Sequence, residues 1–404
     1  MEIAIVGGGA AGFFAAITAK ENYPAARVVI FEKSNKVLAK VKISGGGRCN
    51  VTNGCSSVKE LAAAYPRGGN ALKKAFGVFS NKDAMRWFTE RGVPLVTQDD
   101  NCVFPASQNS QSIIDCFVRE TGRLKVAVET GRGVSGIRPV GDRLELAFGE
   151  GGGPARLFAK VIVTTGGAPQ RKGLVWLEKL NHRIVAPVPS LFTFRMPAEP
   201  VTELMGVVVE KTLVSIQGAG LKAAGPLLIT HWGMSGPAIL KLSAFGARLL
   251  SEKGYAFKIQ VNWVAEPNHD LVADKLRRLG EEHAHKFLAN LRPYYLPERL
   301  WRYLLQKTDL PPEKKWGELG RKGLHQLVRV LTNDVYVVRG KTSFRDEFVT
   351  CGGVSLESVD LKTMQSKVCA NLYFAGEILD IDGITGGYNF QAAWTTAFIA
   401  GQLR

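Results

Sequence analysis

Residues 2–12 read EIAIVGGGAAG, a strand-like apolar run that breaks into Gly7-x-Gly9-x-x-Gly12 and passes straight into the apolar-periodic stretch Phe13–Lys20. Few patterns constrain a chain more tightly. Gly7 permits the tight turn, Gly9 lets backbone approach a pyrophosphate, and Gly12 allows close strand–helix packing. The free N–H groups of the new helix then face an anion. Glu32 ends the β-rich run Arg27–Phe31, twenty residues beyond Gly12. A carboxylate at that distance accepts hydrogen bonds from ribose hydroxyls and repels a 2′-phosphate. Strand, turn, helix and acid in this order predict a dinucleotide site in a doubly wound α/β unit.

The other end of the chain carries a matching signal. After the strand Leu372–Phe374 come Gly376, Glu377, Asp380, Asp382, Gly383, Gly386, Gly387 and Asn389, followed by the helix Phe390–Ala400. Backbone and acids there suit ribityl hydroxyls, and the positive end of the helix suits the pyrimidine edge of a flavin. A simple helix cap needs fewer glycines and acids. The buried strand Val161–Thr165 ends in the pair Gly166-Gly167, which suits a second approach to the dinucleotide, although an ordinary turn also explains it. Between Lys40 and Asn53, Gly45, Gly46 and Gly47 allow a planar ring to lie on backbone, while Arg48, Asn50 and Asn53 offer donors and acceptors. Cys49 beside Arg48 is a candidate proton donor with a lowered pKa; packing is the competing explanation.

A chain of 404 residues has room for two or three domains. Residues 1–190 alternate strand and helix patterns. Helices are expected around Lys82–Arg91 and Ser110–Glu120, and short strands near 124–128, 133–138 and 143–148. From residue 191 short β-rich pieces (191–196, 206–216, 226–230, 255–262) indicate a small antiparallel barrel or sandwich. Helices follow over Asp270–Gly280, Glu282–Leu291, Pro297–Lys307 and Gly320–Leu331, and strands return at Val335–Val338 and Glu347–Val349. The expected organisation is a discontinuous nucleotide-binding domain, 1–190 with 335–404, interrupted by a β-barrel part at 191–265 and a helical part at 266–334.

Composition excludes several classes. No apolar run reaches the roughly 18 residues of a membrane span, and the first strand starts too early for a signal peptide. Cys49, Cys55, Cys102, Cys116, Cys351 and Cys369 are scattered, which fits reduced thiols in a cytoplasmic protein. His283 and His285 lie about 200° apart on a helix, so no metal site is expected. The net charge of +16 is less ordinary. Residues 33–91 hold twelve Lys or Arg against three acids. A second basic set over 275–329 is interleaved with Glu281, Glu282 and Glu298. Both are compatible with a soluble basic surface or with RNA, where clustered cations release counterions.

The segments SGGGRCNVTN (44–53), VFPASQNS (103–110), LLITHWGMSGPAIL (227–240), TCGGV (350–354), TMQSK (363–367) and the closing Gly-rich run together resemble the bacterial BaiN-like NAD(P)/FAD-dependent oxidoreductases, in that family's order and over essentially the whole chain. The resemblance implies a Rossmann-like FAD-binding domain interrupted by a β-barrel and a helical subdomain, with NADH or NADPH as reductant. It implies an FAD set of Gly7, Gly9, Ala11, Gly12, Glu32, Lys33, Lys40, Gly45, Gly46, Gly47, Arg48, Asn50, Val134, Gly166, Gly167, Gly376, Glu377, Asp380, Gly386, Gly387 and Asn389. Cys49, Arg48 and His231 are its catalytic candidates. His231 lies in HWGMSGP, where no nearby acid orients it, so a turn joining barrel to helix is the plainer reading. Family members are associated with dihydrouridine synthesis in large-subunit ribosomal RNA, oxidation of a small aminoketone, and bile-acid ring reduction. An amine oxidase or enone reductase, and a non-catalytic RNA-binding flavoprotein, are the alternatives. This chain departs from the family at Leu38-Ala39-Lys40, where Gly-Arg-Lys is usual, and in its short stretch 168–173.

Overall fold

The computed structural model describes residues 1–168, 170–342 and 349–404. It divides into two units, Met1–Ser190 with Phe344–Arg404, and Leu191–Ser343.

The first unit is built on a seven-stranded sheet. Its order is Val359–Asp360, Gln365–Ser366, Leu372–Phe374, Lys160–Val163, Glu2–Val6, Arg27–Phe31 and Ala127–Glu129. The five strands from Leu372–Phe374 onward are parallel, with Val6 opposite Val163 on one side and Phe31 on the other. Ile3, Ala4 and Ile5 are fully buried, as expected of a parallel sheet covered on both faces. The helices Ala10–Asn22 and Tyr388–Gly401 pack together. A Cβ on Gly401 would stand 2.7 Å from Thr18 Cβ. Around them Phe14, Trp87, Phe117 and Trp394 form a ring cluster with centroids 4.6–6.4 Å apart. Both helices are apolar on almost every face, which marks helices enclosed in a core.

The second unit carries an antiparallel sheet ordered Asp334–Arg339, Ala256–Asn262, Val208–Ile216, Lys222–Thr230, Gly233–Ser235, Thr193–Arg195 and Lys341–Thr342. Its two edge strands are neighbours in sequence, joined at Gly340. Gly340 donates to Tyr255 O at 2.8 Å and accepts from Arg195 N–H at 3.1 Å. One turn thus ties both edges and closes the sheet into a barrel-like form. Helices His269–Glu282, Glu298–Lys307 and Gly320–Thr332 share a single core with the sheet, through Leu276, Trp301, Leu304 and Leu331 against Ile259 and Val261.

Two expectations from sequence need correction. The strand covering Val335–Val338 does not join the nucleotide-binding unit; Asp334–Arg339 pairs with Ala256–Asn262. Its buried residues alternate as Asp334, Tyr336 and Val338, the period of a strand with one buried face, and that face belongs to this core. Glu282–Leu291 is not a helix. The chain leaves the helix at His283, and Leu288 and Trp316 donate to Lys314 O and Lys286 O, so tertiary pairing overrides helical propensity. Within Ala39–Gly47 the backbone leaves helical geometry at Ser44, and Gly45 and Gly46 are left-handed. Of the strand expected at Glu347–Val349, residues 347 and 348 lie outside the described residues, and Val349–Val354 is a strand.

Candidate functional site

The first turn has no room for side chains where the sequence places glycine. Gly7 has φ +117°, and a Cβ there would lie 2.5 Å from Thr164 O. A Cβ on Gly12 would stand 1.9 Å from Gly7 O. Above Gly9 the space is open, with no atom within 4 Å of a would-be Cβ. The helix beginning at Ala10 has no side-chain cap, so its first N–H groups face that opening with the positive end of the dipole. Glu32 is held in place by two amides: Oε2 accepts from Gly8 N–H at 2.8 Å and Oε1 from Ser34 N–H at 2.9 Å. Lys33 is exposed, and Val134 lies two residues beyond Arg132, whose N–H donates to Glu32 O at 2.8 Å.

The closing segment meets this turn directly. Gly376 donates to Thr396 Oγ1 at 2.9 Å and stands against Ala11. Glu377 accepts from Thr350 N–H at 2.8 Å and from Lys40 Nζ at 3.0 Å. A Cβ on Gly167 would be 2.3 Å from Thr350 Oγ1 and 2.5 Å from Glu377 Oε1; above Gly166 the space is open. Asp380 N–H donates to Val354 O at 3.0 Å.

A second seam joins the stretch 50–53 to the start of the last helix. Asn50 Oδ1 accepts from Gly387 N–H at 3.2 Å while its amide donates to Thr52 O. Asn53 donates to Gly386 O at 3.1 Å, Thr52 Oγ1 to Gln391 Oε1 at 2.6 Å, and Trp394 Nε1 to Val51 O at 2.9 Å. A Cβ on Gly387 would stand 2.3 Å from Thr52 O. Asn389 closes the loop on itself by exchanging two hydrogen bonds with the Gly383 backbone. Gly46 and Gly47 face open space, whereas Gly45 has Asn50 N 3.0 Å from a would-be Cβ.

The expected activated thiol is absent. Cys49 is fully buried, and burial pushes its thiol up to about 12 against a hydrogen bond with Ser44. Arg48 turns instead to the Phe104 ring, 4.1 Å from its centroid, and donates to Gly45 O and Gln108 Oε1. His231 belongs to the other unit, exposed on the turn between Lys222–Thr230 and Gly233–Ser235, and the HWGMSGP segment then runs from the sheet into the helix Pro237–Phe245. Its ring lies edge-to-face on Trp232.

Two features escaped the sequence reading. Arg67 pairs with Asp382, which is fully buried and also accepts from Ser190 Oγ at 2.7 Å. Burial pushes the Asp382 carboxyl up, against the pull of Arg67 and Ser190. Asp382 sits in a Gly-rich motif, but its partner in YPRGGN carries no periodic signal. Thr350 is 1% exposed, and its Oγ1 has no hydrogen-bond partner among the described residues.

Turn, acid and uncapped helix, closed by a second Gly-rich segment, define a dinucleotide-binding protein of Rossmann type. A family model described as HI0933-like protein Rossmann domain matches residues 1–403. The chain is 26% identical over 416 residues to the 3-dehydro-bile acid delta(4,6)-reductase of Clostridium scindens, covering 99% of this chain and 98% of that one. It is 26% identical over 405 residues to a ribosomal RNA dihydrouridine synthase of Haemophilus influenzae, and 27% over 409 residues to one of Escherichia coli, each covering 98% of this chain and 96% of the relative. The chain therefore belongs to the HI0933-like family of FAD-dependent oxidoreductases and is an enzyme of that class.

The residues present suit FAD. An open anion-binding helix start, a carboxylate already fixed at the ribose distance, open backbone at Gly46, Gly47 and Gly166, and the unsatisfied Thr350 hydroxyl all fall in the unit that carries the fold's nucleotide turn. Among the described residues no helix is long and apolar enough to cross a membrane.

Proposed function

We propose that this enzyme reduces an electron-poor carbon–carbon double bond with electrons drawn from NADH or NADPH, and that its acceptor is a uridine of large-subunit ribosomal RNA, giving dihydrouridine. FAD bound in the first unit supplies the two-electron chemistry. Glu32 holds the ribose hydroxyls, and the N–H groups after Gly9 hold the pyrophosphate. Lys33, Ala11 and Val134 line the adenosine side, and Lys40, Gly45, Gly46, Gly47, Arg48 and Asn50 the ring side. Gly376, Glu377, Asp380 and Asn389 position the ribityl chain, and the helix start at Gly387–Tyr388 faces the pyrimidine edge. There its dipole favours negative charge. Cys49 is assigned to packing.

The observation that carries the flavin reading is the double seam between chain ends: Ala11 with Gly376, and residues 50–53 with 386–394. The RNA acceptor is supported by the excess of cations over 33–91 and by the two dihydrouridine synthase relatives. A cytoplasmic site of action fits this substrate. The bile-acid reductase relative supports a second reading, a small-molecule enone reductase. Mapping dihydrouridine in ribosomal RNA from cells with and without the gene separates the two. Loss of a modification on deletion is expected; an unchanged map rejects the RNA acceptor.

A further inference from the structure

The helical part of Leu191–Ser343 displays an aromatic ring, Tyr295, that its core does not use. Tyr295 is 99% exposed, and its setting is built rather than loose. Pro293 and Leu296 on either side are buried. Tyr294 lies under Lys275, whose Nζ is 3.8 Å from the ring centroid. Tyr294 and Tyr295 both have left-handed backbones, at φ +56° and +55°. Bulky residues rarely adopt that conformation, and it persists only where the surroundings hold it. The fold thus maintains strain and leaves an apolar ring in water.

The loop that carries the ring is flanked by cations, with Lys275 over Tyr294 and Arg292 at its base. Lys275 and Arg278 share one face of the helix His269–Glu282 with Leu271, at i, i+4 and i+7, and all three are exposed. Arg292, also exposed, donates to Leu296 O at 3.4 Å from the base of the loop. Glu266 near Tyr294, Asp274 on the same face and paired with Arg277, and Glu281 and Glu282 at its far end are the opposing charges. Leu271, Phe287 and Tyr295 are the large apolar side chains exposed over 266–334, few for the desolvated core that a protein interface needs. One rigid ring with flanking cations is enough for an unpaired base and its phosphates.

We infer that Tyr295 is a stacking platform for an unpaired nucleotide of RNA, with Lys275, Arg278 and Arg292 as its phosphate contacts. The inference rests on the RNA acceptor proposed above and adds where that RNA is gripped. The test is fluorescence anisotropy of the flavin-loaded enzyme with a labelled single-stranded oligouridylate and with an RNA duplex of equal length. Tyr295→Ala is expected to weaken oligouridylate binding by roughly tenfold, while Tyr295→Phe and Tyr295→Trp stay within about twofold of wild type. Lys275→Gln with Arg278→Gln should lower the salt slope by about 1–2. Flavin content and melting temperature should not move. Unchanged oligouridylate binding by Tyr295→Ala, or an equal loss in Tyr295→Phe, overturns the platform and leaves the RNA acceptor standing. Failure of the wild-type enzyme to bind either RNA overturns both.

Discussion

Gly376 stands so close to Ala11 that a Cβ on residue 376 would lie 2.8 Å from the Ala11 methyl. The contact sets the start of the first helix against the turn that follows the last strand. Gly376 also has φ +77°, so a branched side chain meets strain and collision together. Gly376→Val is expected to cost more than about 2 kcal/mol and to release flavin. Gly122→Ala is the control: this helical glycine has open space around a would-be Cβ, and alanine there should gain up to about 1 kcal/mol. Thermal unfolding with the flavin-to-protein absorbance ratio checks both.

Arg67 and Asp382 form a pair that should be worth more kept or removed whole than broken. With Asp382 fully buried, Arg67→Met strands a carboxylate and is expected to cost about 3–5 kcal/mol. The double variant Arg67→Met with Asp382→Asn should recover part of that loss. Urea unfolding of wild type, single and double variants measures it; a double variant weaker by the full sum of both single losses would contradict the pairing.

The terminal motifs were legible because glycine, strand and acid sit at fixed short spacings, where local sterics decide the structure. Gly7, Gly12 and Gly387 are each forced by backbone atoms at under 2.6 Å from a would-be Cβ. What sequence could not show depends on partners far along the chain. Val335–Val338 looks like any strand, and only its pairing with Ala256–Asn262 decides which unit holds it. Residues 284–288 carry helical propensity but are captured by 314–317. Cys49 next to Arg48 in sequence gave no hint that the guanidinium turns to Phe104 while the thiol is buried.

Cys49 should be chemically quiet. With its thiol pushed up to about 12 by burial, the nucleophilic thiolate is scarce near neutral pH. Alkylation of Cys49 by iodoacetamide, followed by mass spectrometry, should be slow in the native enzyme and fast after unfolding. Cys49→Ala should keep its flavin and its turnover. A loss of turnover with flavin retained would return the thiol to the reaction.

His182 should make stability fall in mild acid. Burial lowers its pKa from 6.5, against a hydrogen bond to Leu177 O, while Nε2 lies 2.8 Å from Ser366 Oγ. The unfolded chain takes up a proton below about 6.5 that the folded chain resists, so unfolding is favoured as pH drops through that value. Melting temperature should decline from pH 7.5 to 5.5, and His182→Gln should flatten the slope. An identical slope in the variant would remove His182 as its source.

The account depends on both ends of the chain holding one dinucleotide. Flavin-depleted enzyme titrated with FAD, followed by the change in flavin fluorescence, tests this directly. Saturation at a single equivalent per chain is predicted, with affinity lowered about tenfold or more in Glu32→Gln, which gives up a charge-assisted acceptor. No uptake of FAD by the wild-type chain, or wild-type affinity in both Glu32→Gln and Gly376→Val, would contradict it.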